Sequence, residues 1–176
     1  MTDAADIVAR QLTRSGETFL LAMEPLTDEE FFAVNGNGFS AAWVTGHLTC
    51  VADLFSSWID GELLFHQRFH QLFNDTGINV TEAGKAVDPV YYPKDILLQH
   101  YREAYVRALR ELRRCDAWGV PAPAAAPVTL RTAGDVWEHL AVHTYWHLGE
   151  LAGSMPRFRG TYTLNILPHH LYVPPG

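Results

Sequence analysis

Apolar residues recur at helical spacing through four long stretches of the chain, and none of the intervening stretches alternates apolar and polar residues as a half-buried strand would. The first stretch covers about residues 3–23, carries Val8, Leu12, Phe19 and Met23 on one stripe, and stops near Pro25. A short apolar turn and the loop Asn35-Gly36-Asn37-Gly38 follow. Ser40 is then placed to cap a second helix reaching about residue 60, with Trp43, His47, Cys50, Leu54 and Trp58 inward. A third helix opens near Pro93, a residue tolerated in a first helical turn, and continues to about residue 115 with Leu97, Tyr101, Ala104, Ala108 and Leu112 inward. Pro121, Pro123 and Pro127 forbid helix, after which Thr132 and Asp135 form a capping-box pattern. The fourth helix that they open ends near Gly153 and Pro156, and its stripe is Val136, Leu140, His143, His147 and Leu151.

Residues 61–92 are the least regular, with one short helical piece in about 63–73 whose Phe65, Phe69 and Phe73 take the buried face. The pattern predicts an all-α chain forming one domain over residues 1–176: an antiparallel four-helix bundle with a long crossover between its second and third long helices. The tail, rich in proline and aromatics, is expected to fold over one end. Its His169-His170 pair could then reach a site mouth.

Composition narrows the chemistry. With 48% hydrophobic residues in 176, one sizeable core can be buried. A net charge of -7 gives no general attraction to nucleic acid or to an anionic membrane surface. The first residues have neither a basic region nor an apolar run of signal-peptide type, and no stretch is long enough to span a bilayer, so a cytoplasmic protein is expected. Only Cys50 and Cys115 are present, which leaves nitrogen and oxygen to build any metal site.

Histidines stand where core residues belong. His143 and His147, four apart on one helical face, can grip a single ion, whereas His139 and His147 lie about 12 Å apart along the axis and cannot share one. A third ligand must come from another helix. His47 is the candidate, since it sits mid-helix between large apolar residues where an unpaired imidazole is costly. His66 and His70 repeat the four-residue spacing, but their phenylalanine neighbours are expected to displace them toward solvent, while His100 is placed at the core edge. Cys50 reads as a small buried hydrophobe. Glu150 shares the stripe of His143 and His147, where a carboxylate can ligate, orient an imidazole, accept a proton, or simply face solvent at a helix end. Thr144 follows His143 where metalloproteases of the H-E-x-x-H type place their general base, which disfavours peptidase chemistry. Arg102, Arg107, Arg110, Arg113 and Arg114 read as a solvated face, with Glu103–Arg107 and Glu111–Arg114 as helix-spaced pairs.

Two segments carry a resemblance: Trp43-Val44-Thr45-Gly46-His47-Leu48 and His139-Leu140-Ala141-Val142-His143-Thr144-Tyr145-Trp146-His147-Leu148-Gly149-Glu150. Together with the helix order and the central crossover, they make the chain similar to the DinB-like superfamily, which includes metal-dependent hydrolases of the YfiT type and mycothiol-dependent maleylpyruvate isomerases. The resemblance implies a four-helix bundle holding zinc or nickel at His47, His143 and His147, with positions open to water or substrate. It further implies a homodimer. Relatives commonly carry Gln at the position of Glu150 and often Arg at that of Leu148, and these departures bear on substrate chemistry, not on the metal site. Two reactions are compatible: transfer of a low-molecular-weight thiol such as bacillithiol or mycothiol to a small electrophile, which is favoured, and hydrolysis of a small ester or amide. A metal-binding stress or sensor protein without turnover is the alternative of a different class.

Overall fold

The computed structural model describes residues 4–36, 38–73, 87–115, 118–123, 126 and 129–158. Among them are six α-helices: α1 (Ala4–Met23), α2 (Asp28–Phe32), α3 (Ala41–Asp60), α4 (Gln67–Phe73), α5 (Lys94–Arg114) and α6 (Ala133–Ser154), with a 3-10 turn at Pro156–Phe158. The described residues form no strand, and their one isolated bridge joins Pro121 to Thr132. No described helix is long and apolar enough to cross a membrane. The C-terminal tail with His169 and His170, and most of the crossover after Phe73, lie outside the described residues.

The four long helices fall where hydrophobic periodicity places them, and their starts follow from local hydrogen bonding. Ser40 accepts from Trp43 N–H to open α3, and Thr132 with Asp135 closes a reciprocal capping box at α6. A second capping box, Thr27 with Glu30, nucleates the five-residue α2 in what the sequence suggests is only a turn. Gly61 ends α3 in the left-handed region, where a residue without Cβ carries no steric penalty.

Long helices contact one another in a closed cycle: α3 packs against α5 and α6, and α1 packs against the same two. Helix α3 is the central element, because α4 and α2 cover the faces that α5 and α6 leave. Its residues are therefore buried without a break from Ala41 to Asp53, not along one stripe, and Leu54 and Trp58 are only partly covered. Small residues make this possible, and the hydroxyls of Thr45, Thr49 and Ser56 satisfy themselves on carbonyls one turn back, at 2.7, 2.8 and 2.7 Å. Behind the site, Tyr101 and Tyr105 of α5 stack at 4.3 Å, and the Tyr105 hydroxyl bonds to that of Thr144 on α6.

Candidate metal centre

Helices α3 and α6 bring His47, His143 and His147 together. One ring nitrogen from each lies within 4.8 Å of the others, close to the separation that one ion with bonds of about 2.0–2.1 Å can bridge. His47 and His147 are buried and His143 is partly so. The ring of His47 meets those of His143 and His147 edge to face, at 5.2 and 5.0 Å between centroids.

Each ring is held by something other than its neighbours. Trp43, one turn before His47, stacks on it almost in parallel at 4.9 Å and 7°. His47 Nδ1 lies 2.9 Å from the carbonyl oxygen of Phe73 at the end of α4. A carbonyl only accepts, so Nδ1 carries the proton and the lone pair of the neutral ring sits on Nε2. His147 is fixed in the same sense, with Nδ1 donating to Glu150 Oε2 at 2.7 Å. His143 stacks against His139 at 5.0 Å.

This arrangement is awkward without a cation. The Nε2 atoms of His143 and His147 are 2.9 Å apart, and that of His147 bears a lone pair. His143 must then donate through Nε2, which strips the proton from its Nδ1, a buried atom with no hydrogen-bond partner. A divalent ion held by the three rings would relieve this contact by taking one lone pair from each neutral imidazole, His143 then carrying its proton on Nδ1. The residues present fit such an ion: three neutral nitrogen donors, two with a hydrogen-bonded partner on the far nitrogen. Neutrality is secured by burial, which pushes His143 down to about 2 with help from His147, His47 and His139, and which also lowers His139 and His147, in the latter against the opposing pull of Glu150.

The neighbouring residues sort as follows. Thr144, not His143, is the fully buried one of the two, because α6 packs against α1 through that face, where the Thr144 hydroxyl also bonds Tyr105 of α5, and turns its histidine edge to α3. His139 lies one turn before His143, half-buried, with its ring 6.1 Å from Phe55. Trp146 is 62% exposed beside the cluster, its ring 6.3 Å from that of His147. Cys50 donates to the Phe69 carbonyl at 3.8 Å, and burial followed by the charge of Asp53 raises its thiol well above the usual range, so it packs and does not ligate as thiolate.

Two expectations are corrected. His70 is buried, not displaced toward solvent, because Asp53 on α3 accepts from its Nε2 at 2.8 Å; His66 is the exposed member of that pair. Arg107 is not on a solvated face: it is buried and bonds Asp53, Asp60 and the Glu62 carbonyl, while Glu103 pairs instead with Gln99 at 2.8 Å. Neither is visible in periodicity, since the carboxylate that draws them in belongs to another helix. The role of Phe73 is likewise invisible in the sequence, because it is played by a backbone carbonyl. Gly46 is the one available hint: a Cβ there would stand 2.3 Å from Phe73 Cδ1, so the residue beside His47 has to be glycine for α4 to approach.

A family model described as the DinB superfamily matches residues 11–151, a span that contains all three histidines and Glu150. No curated protein and no solved structure matches the chain.

Proposed function

The chain belongs to the DinB superfamily, and from that premise we propose that it binds one divalent ion, zinc or nickel, through His47, His143 and His147 as a four-helix-bundle protein acting on a small-molecule substrate. The convergence of three neutral imidazoles from α3 and α6, with two of their outer nitrogens already hydrogen-bonded, carries this reading. An ion held there supplies Lewis acidity, which favours the deprotonated form of a water or thiol.

The chain's own residues define the rest. Trp43 and the Phe73 carbonyl fix His47, and Glu150 fixes His147 from a partly exposed position where its carboxylate can also take up a proton. Transfer of a low-molecular-weight thiol to a small electrophile is the favoured activity. Hydrolysis of a small ester or amide by the same centre is the alternative, and a metal-binding sensor without turnover is the non-catalytic one. A homodimer is the expected assembly.

A thiol-transfer assay tests the favoured reading. Zinc- and nickel-loaded protein is offered several thiols, mycothiol and bacillithiol among them, with a reactive electrophile, beside His47→Ala and Glu150→Ala. A rate that the wild type shows and His47→Ala loses supports it. Equal rates in wild type and His47→Ala overturn it.

A further inference from the structure

Helix α4, which supplies the carbonyl that orients His47, is itself seated by a buried carboxylate. Asp53 on α3 is fully buried, and four donors converge on it. Its Oδ1 accepts from Leu64 N–H at 2.8 Å and from Arg107; its Oδ2 accepts from Phe65 N–H at 3.1 Å and from His70 Nε2 at 2.8 Å. One side chain thereby ties to α3 the segment entering α4, α4 itself through His70, and α5 through Arg107.

His70 is the only one of these donors on α4. Three residues later, Phe73 lays its ring over Gly46 and presents its carbonyl to His47 Nδ1. A displacement of α4 by even a fraction of an ångström would lengthen that 2.9 Å bond and release the choice of tautomer at His47.

We infer that His70 is a positioning residue for the metal centre: bonded to Asp53, it seats α4 so that the Phe73 carbonyl holds His47 as its Nδ1–H tautomer, with the lone pair on Nε2 for the ion. This rests on the metal reading above. A purely stabilising role for the Asp53–His70 contact would change the melting temperature but neither the tautomer of His47 nor the affinity of the folded protein for metal. His70→Leu keeps the bulk and removes the donor, while His70→Gln keeps a donor of similar reach.

The test combines long-range proton–nitrogen NMR spectra of metal-free protein, which report the tautomer of His47, with competition titrations using Co2+ as the probe. The wild type is expected to show Nδ1–H at His47. His70→Leu should show mixed tautomers and a Co2+ affinity lowered about 10- to 100-fold, with His70→Gln recovering most of that loss. Folded His70→Leu with wild-type affinity overturns the inference. Should His70→Leu not fold, His70→Asn, whose shorter amide reaches Asp53 less well, takes its place: mixed tautomers at His47 with weakened Co2+ binding uphold the inference, and wild-type values of both overturn it. Wild-type protein that takes up no Co2+ overturns the metal centre, and this inference with it; failure of the inference alone shows as Co2+ uptake that His70→Leu leaves unchanged.

Discussion

His147 Nδ1 donates to Glu150 Oε2 at 2.7 Å, three residues along the same helix. The bond sets which nitrogen of His147 carries the proton and makes the ring a more basic donor through the other. It also partly offsets the lowering of the His147 pKa by burial. Glu150→Ala should weaken metal affinity about 10-fold, and Glu150→Gln less, because an amide oxygen still accepts. Competition titration against a chelator of known affinity reads both; equal affinity in wild type and Glu150→Ala contradicts the role.

Metal-free protein should lose stability in mild acid. Burial above all holds His143 down to about 2, and it also lowers His139 and His147, whereas in the unfolded chain such rings protonate near the ordinary imidazole value of about 6.5. Below that pH the unfolded state binds more protons than the folded one, so stability is full above about 6.5 and falls as the pH drops toward the folded values. Carboxylates contribute mainly at lower pH, so denaturant melts in chelator between about pH 8 and pH 5 isolate the histidines. Stability that stays level across that range contradicts the burial of these rings.

Gly46→Ala should cost about 1–3 kcal/mol, the usual penalty of overpacking. The added Cβ meets the ring of Phe73 at 2.3 Å, and a shift of α4 that relieves it carries the Phe73 carbonyl away from His47. Denaturant unfolding checks the stability, and metal titration of the folded fraction should show a weakened site as well.

Arg107→Leu should be more damaging still, by about 3–5 kcal/mol, since it leaves a buried carboxylate without its cation. Asp53 is fully buried, and Asp60 also depends on Arg107, whose hydrogen bond is the first cause of its lowered pKa. A change below about 1 kcal/mol in chemical denaturation would show that the pair is dispensable.

Much of this was legible in the chain. The long helices, the Ser40 and Thr132 caps and the pairing of His47 with His143 and His147 follow from periodicity and from polar residues placed inward, which are properties of single helices. What periodicity hid depends on contacts between helices. The continuous burial of α3 arises from α4 and α2 packing over it; Arg107 and His70 are drawn in by Asp53; the partner of His47 is a backbone carbonyl from a segment with weak helical signal. On α6 the stripe is rotated by one residue, so that His143 is only partly buried and Thr144, bonded to the Tyr105 hydroxyl, is fully so.

The most direct test of the metal centre is a side-by-side measurement of metal content and melting temperature for untagged wild type and His143→Ala, each stripped with chelator and reloaded with zinc or nickel. The three-histidine centre predicts about one ion per wild-type chain and a rise in melting temperature on loading, both lost in His143→Ala. Wild-type protein that retains no ion, or a variant that retains and responds to metal as the wild type does, would contradict it.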